Sequence, residues 1–233
     1  MKRFYREVTV SPDGDGWRVL LDGRGIKTAM GGQQVVPTRA LAEAMAEEWA
    51  GQGEEIDTAA FMLGDLADYA IDIAATDRDS AIRGLLPYAE TDTLCYRGDA
   101  GEALHERQML VWEPLLLAAE ARWDVHFTRV EGVIHRAQPP QTLQRLQAVL
   151  AAESDFSLAA LNTLSSLAAS LVVGLAALAP DADAEMLWNA ANLEEDWQVE
   201  LWGKDAEAEE RRARRFATFT ATMRFARLAA DPS

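Results

Sequence analysis

Val35-Val36-Pro37-Thr38-Arg39-Ala40-Leu41-Ala42-Glu43-Ala44-Met45 is the stretch where the apolar rhythm of this chain changes. Before it the hydrophobic side chains alternate in twos, and after it they recur every three to four residues. Thr38 offers a hydroxyl that can cap a helix, and Leu41, Ala44, Met45 and Trp49 then share one face until Gly51 and Gly53 end it. Upstream, Val8 and Val10 lead into Ser11-Pro12-Asp13-Gly14-Asp15-Gly16, after which Trp17, Val19 and Leu21 alternate with Arg18 and Leu20 up to Asp22-Gly23. Asp-Gly pairs tolerate the positive backbone angles of tight turns, so the opening predicts a small antiparallel sheet.

Downstream of Pro37 almost every segment reads as helix. Leu63, Leu66, Ala67, Ala70, Ile73 and Ala74 form one stripe, and Leu104, Val111, Leu115 and Leu116 form another in which Pro114 is expected to bend or restart the helix. One exception is 125–134, where Val125, Phe127, Thr128 and Val130 predict a strand. Pro139-Pro140 then opens a helix carrying Leu143, Leu146 and Leu150. Leu158 to Ala179 is uncharged, but it holds Asn162, Thr163, Ser165, Ser166 and Ser170 between Asp155 and Asp181, which predicts a buried core helix over a membrane span. Further helices are expected over 183–202 and 205–230, the last with Glu207 and Glu210 each four residues before an arginine. The fold class is therefore α+β: a small N-terminal antiparallel β-sheet domain, 1–75, followed by a mainly α-helical orthogonal bundle, 76–233.

The chain has 233 residues, with 38 Asp plus Glu against 22 Lys plus Arg, a formal charge of -16. That charge argues against a nucleic-acid backbone or an anionic membrane as partner. The single cysteine, Cys95, excludes an intrachain disulfide and a cysteine-rich zinc module. No apolar run follows Met1-Lys2-Arg3 as a signal peptide requires, and a cytoplasmic location is expected.

Catalytic signatures are weak. Gly25-Ile26-Lys27-Thr28 lacks the glycine before lysine that a phosphate loop needs, and the spacing of Gly14, Gly16, Gly23 and Gly25 does not fit a dinucleotide site. Asp13 and Asp15 begin like a calcium loop, yet Trp17 takes the next ligand position. His105, His126 and His135 lie too far apart in sequence to share a helix face. Cys95 is read as a small buried hydrophobe, with a thiol hydrolase as the rival. Asp65, Asp68 and Asp72 share a face opposite the apolar stripe and are read as solvated, the rival being a hard cation or a basic partner. No catalytic residue, metal, cofactor or small-molecule substrate is expected.

A denser pattern follows: Trp188, Glu194-Glu195-Asp196-Trp197, and Glu200-Leu201-Trp202. Trp188 and Glu195 are seven apart, as are Glu195 and Trp202, and Trp197 and Glu200 are three apart. Carboxylate and indole therefore lie side by side on one helix, which suits a partner carrying arginine and apolar groups.

Several blocks together resemble a known family, the assembly chaperones of the F-type ATP synthase catalytic head that bind its free alpha subunit. They are Arg3-Phe4-Tyr5, Gly16-Trp17-Arg18-Val19-Leu20-Leu21-Asp22-Gly23-Arg24, Pro37-Thr38-Arg39-Ala40-Leu41-Ala42 and Glu47-Glu48-Trp49. Then come Tyr88-Ala89-Glu90-Thr91-Asp92, Cys95-Tyr96-Arg97, Gln108 with Trp112-Glu113-Pro114-Leu115-Leu116, and Leu193-Glu194-Glu195-Asp196-Trp197-Gln198 with Glu200 and Trp202-Gly203. Two departures are Pro87 and the loose turn Met30-Gly31-Gly32. The resemblance implies a chaperone without catalytic chemistry that holds the alpha subunit until the beta subunit arrives, bacterial here and mitochondrial in eukaryotic relatives. Its partner contacts are expected at Glu195, Asp196, Trp197, Glu200 and Trp202. Tyr88, Asp92, Tyr96 and Arg97 form a second group, either contacts or braces of the domain junction. A nonspecific holdase is the remaining alternative.

Overall fold

The computed structural model describes residues 1–132, 134–203 and 205–230. These group into two compact units: Met1–Arg78 with Ser154–Ala160 and residues 221–230, and Asp79–Glu153 with Leu161–Thr220. The sequence places one boundary near residue 75; no composition shift marks the two later segments that join the first unit.

The first unit opens with β1 (Val8–Asp13), β2 (Gly16–Leu21) and β3 (Arg24–Gly25), an antiparallel sheet in the order β1-β2-β3. Leu21 faces Arg24 across Asp22-Gly23, whose φ angles of 48° and 77° are both left-handed, as a two-residue hairpin of right-handed twist requires. The Asp22 carboxylate also accepts the N–H groups of Arg6 and Glu7, at 3.1 and 2.8 Å. Gly16 has no side chain because a Cβ there would lie 2.7 Å from the Val36 carbonyl, which accepts the N–H of Trp17. Helix α1 (Arg39–Ala50) starts where the rhythm changes, capped by Thr38 Oγ1 on Leu41 N, and packs across β1 and β2. Tyr5, Leu21, Ile56 and Phe61 form a buried cluster against which Val8, Ile26 and Trp49 pack.

Helix α2 (Met62–Tyr69) has no local side-chain cap; Glu48, from α1, accepts Leu63 N and Gly64 N at 2.7 and 3.1 Å instead. Burial pushes the Glu48 carboxyl up, against the pull of those two hydrogen bonds. A π turn over Ala70–Ala74 follows. The apolar stripe is buried as expected except at Ile73, which is exposed.

The second unit takes in α3 (Arg78–Leu85) from its second residue, then α4 (Pro87–Glu90), β4 (Tyr96–Arg97), α5 (Ala103–Trp123), β5 (Val130–Glu131) and α6 (Pro140–Ala152). The strand expected over 125–134 shrinks to β5, which pairs in parallel with β4 through Tyr96–Val130 and Arg97–Glu131. Asp124 ends α5 in a left-handed conformation, and the next N–H groups go to side chains: Phe127 N to Glu120, Thr128 N to Gln138. Val133 lies outside the described residues. Pro114 neither ends nor restarts α5, which runs through it.

Two stretches read as single helices are divided. The uncharged segment becomes α7 (Asp155–Ala168) and α8 (Leu171–Ala177), separated by Ala169 at φ 47° and by Ser170, which caps α8 on Val173 N. No helix among the described residues is long and apolar enough to cross a membrane. The acidic segment becomes α9 (Ala184–Ala191) and α10 (Leu193–Trp202), broken at Asn192, whose amide turns back to Trp188 O at 2.8 Å. Helix α11 (Ala206–Ala230) completes the described chain. The result is a small three-stranded antiparallel sheet followed by a mainly helical chain.

Candidate functional site

The acid and indole residues gather on α10. Its position is fixed by Leu193, which is buried, and by Glu194, an exposed residue whose carboxylate reaches in to accept from the buried Gln108 amide at 2.8 Å. Burial raises the Glu194 carboxyl while that hydrogen bond opposes the rise. Trp112 is fully enclosed and donates its indole N–H to Ala190 O at 2.7 Å, anchoring the end of α9 to α5. Trp188 is also core, packed on Phe216 and Phe219 with ring centroids 5.7 and 5.5 Å away.

The outward acids already have cations of their own. Glu200 accepts from Arg107 at 2.6 Å, Asp196 pairs with Arg212, and Glu195 stands 3.9 Å from Arg215. Arg107 also lies over the Trp197 ring, 5.6 Å from its centroid. The hydrogen bond from Arg107 holds the Glu200 carboxyl below its usual range. Trp202 ends the helix 80% exposed, beside the exposed Leu201, and Gly203 at φ 91° turns the chain away. An indole left in water at a helix end is unusual enough to mark an interaction surface. Between α10 and α11 lies an open groove of about 910 Å³, with Val111, Met186, Leu193, Val199 and Trp202 supplying its apolar lining. Sequence reasoning missed the arginine partners because they come from α5 and α11, distant in the chain.

Members of the second group have different surroundings. Asp92 is fully buried: one carboxylate oxygen accepts Leu94 N at 3.1 Å and the other accepts Val172 N at 3.0 Å. Burial raises its pKa to about 6 despite these bonds. Arg97 is buried too, donating to Glu113 at 2.6 Å and to the Met109 sulfur. Glu113 is shared with Arg129, which also pairs with Glu120. Burial alone would raise Glu113, but the hydrogen bonds from Arg129 and Arg97 win and hold it low. Tyr88 is half-buried on α4, and the Tyr96 hydroxyl meets His135 Nδ1 at 3.1 Å.

The other candidates resolve into structural work. Asp68 accepts Ala29 N at 2.9 Å and the Gln34 amide at 2.6 Å, while Asp72 accepts the Thr28 hydroxyl at 2.7 Å and Met30 N at 3.0 Å. These two carboxylates clamp the turn over 28–34, which corrects the expectation of a solvated face for them, whereas Asp65 is exposed as expected. No cluster of His, Cys, Asp and Glu with metal-binding geometry occurs among the described residues. Cys95 is fully buried, and burial pushes its thiol well above the usual range, the wrong direction for a nucleophilic thiolate. The three histidines make contacts elsewhere: His105 on Gly98 O, His126 beside Glu120, and His135 on Tyr96.

Residues 2–120 match the family described as ATP12 chaperone protein. The chain belongs to the ATP12 chaperone family. The resemblance to ATP synthase assembly chaperones, carried by blocks from Arg3 to Gly203, is thereby borne out at the level of the family. The mitochondrial atp12 protein of Schizosaccharomyces pombe is 25% identical over 221 residues, covering 90% of this chain and 76% of that protein. Among solved structures, Atp12 from Paracoccus denitrificans superposes with a TM-score of 0.91 at 37% identity, covering 98% of both chains. The Atu1473 protein of Agrobacterium tumefaciens gives a TM-score of 0.92 at 36% identity over 97% of this chain and 85% of that one. The family match ends within α5, so α10 lies outside it, whereas the Paracoccus Atp12 superposition spans nearly the whole chain.

Proposed function

We propose that this ATP12-family assembly chaperone holds the free alpha subunit of the F-type ATP synthase head, through α10 and the groove beside it, until the beta subunit pairs with it. The observation that carries the reading is the outward face of α10, where Trp202 stands in water at the rim of an apolar groove. Unpaired subunit surface aggregates, and a chaperone that covers it while remaining displaceable solves that problem. An interface of about 1,600 Å² with micromolar affinity, roughly 8 kcal/mol, provides both protection and release without nucleotide. Glu195, Asp196, Trp197, Glu200 and Trp202 are the contacts. Their arginine partners within the chain keep the acids oriented, and cations of the client exchange with them on docking. Tyr88 and Tyr96 reach the surface in part, whereas Asp92 and Arg97 act as braces that fix the backbone beneath.

Calorimetric titration of isolated alpha subunit tests the reading. Wild-type chain binds it, and Trp202→Ala weakens binding by about 2 kcal/mol, the effect of removing an interfacial tryptophan anchor. The unfolding free energy stays within about 0.5 kcal/mol of wild type, because the indole is already solvated. Equal binding of unrelated unfolded clients would point to a nonspecific holdase instead.

A further inference from the structure

Helix α5 is apolar on two opposite sides. Gln108, Trp112, Leu116 and Ala119 face the core. About 170° around the helix, Leu110, Pro114, Leu117, Ala118 and Ala121 form a second stripe that lies in water, with Leu110 78% and Leu117 53% exposed. A helix with an apolar stripe in water as well as one on the core has more apolar surface than its own packing uses, which marks an interaction surface. The stripe borders the groove beside α10, since Arg107 and Val111, on the adjoining flank of α5, line that groove.

Pro114 adds a second feature. It has no N–H, so the carbonyl of Leu110 loses its helical donor, and that carbonyl sits on the exposed stripe. An apolar track is thus interrupted by one backbone acceptor that calls for a donor from outside the helix.

We infer that this stripe on α5 seats an amphipathic helix of the client, its apolar side on Leu110, Pro114 and Leu117 and its lysine or arginine side toward the acidic rim of the groove. The inference rests on the chaperone reading for the identity of the client, though not for the chemistry of the seat. Anchors at intervals of four, three and four residues, from Leu110 to Ala121, span about 17 Å, three turns of a facing helix. Charge selects the occupant. Five acids line the groove beside four arginines, so the local excess is a single negative charge; Glu195 and Glu200 nevertheless stand 62% and 53% exposed, and a chain of net charge -16 repels a second copy of itself while attracting a cationic segment.

The test uses fluorescence anisotropy with a labelled helical Leu/Lys amphipathic peptide, its Leu/Glu counterpart, and the full chain. Wild type binds the Leu/Lys peptide and discriminates against the Leu/Glu one. Joint Leu110→Ser and Leu117→Ser substitution weakens the Leu/Lys peptide at least about tenfold with the unfolding midpoint kept, since both side chains are already in water. Pro114→Ala, which gives the Leu110 carbonyl its helical donor back, weakens it by a smaller factor. Unchanged peptide binding by the double variant overturns the inference, as does a dimer in sedimentation velocity that the same variant abolishes. Capture of isolated alpha subunit is measured in parallel. If wild type ignores that subunit, the proposed function falls and the peptide results alone judge the stripe. If wild type captures it and the double variant does so equally well, the stripe falls and the proposed function stands.

Discussion

Asp92 offers the sharpest physical test of the second unit. Its carboxylate is enclosed, and the net effect of burial over hydrogen bonding lifts its pKa from 3.8 to about 6. Between those values the folded chain holds the proton more tightly than the unfolded chain, so stability is greatest below 3.8 and falls as pH rises through 6. The full difference is about 3 kcal/mol, of which roughly half is already lost at pH 5, leaving about 1 kcal/mol to be lost between pH 5 and 7. Asp92→Asn does not titrate and so lacks this slope. It also replaces one acceptor oxygen with an amide donor facing either Leu94 N or Val172 N, a loss of about 1–3 kcal/mol that does not depend on pH. Urea unfolding of both proteins from pH 5 to 7, above the sequence pI of about 4.6, isolates the slope, because every other titrating group cancels in the difference. The wild-type stability relative to the variant should fall by about 1 kcal/mol across that range. Parallel curves would refute the argument that burial dominates at this carboxylate.

Asp72→Ala removes the acceptor for Thr28 and for Met30 N; it should cost about 1–3 kcal/mol and accelerate amide exchange at Met30 without altering exchange in α8. Cys95 should resist a disulfide reagent until denaturant is added, and Cys95→Ala should keep capture of alpha subunit; rapid native labelling would contradict its enclosure. Joint Glu195→Lys and Glu200→Lys substitution should leave the unfolding midpoint nearly unchanged, because both ion pairs are exposed, while weakening alpha subunit capture in the same titration.

What the sequence discloses depends on how far a residue's partner lies along the chain. The hairpin at Asp22-Gly23 and the cap at Thr38 are local events, and the residues that cause them stand within four positions of one another. The breaks at Ala169 and Asn192 are local too, yet the apolar pattern continues on both sides, so periodicity alone gives no hint of them. Asp68 and Asp72 look like a solvated face because their partners lie 34 to 44 residues away, and two of the four are backbone N–H groups, which leave no signature in side-chain type. The same limit applies to α10. Its acids and indoles can be counted from the sequence, but whether each meets water, an arginine or the core depends on α5 and α11. Trp188 and Trp202 make the point, since identical side chains at the two ends of one motif end up buried and solvated.

Thr38 does two things at once: its hydroxyl oxygen caps α1 on Leu41 N, and its O–H donates to Leu228 O at 2.6 Å. Glu47 likewise meets Arg224, and Phe156 stacks on Phe225 with centroids 5.9 Å apart. During translation the sheet and its first helices emerge before α11, and the contacts of Thr38 and Glu47 wait for residues 190 and 177 positions further along the chain. The nascent first unit therefore stays unsealed until α11 is made, and a ribosome stalled before Arg224 would display a protease-sensitive α1 that synthesis through Leu228 protects.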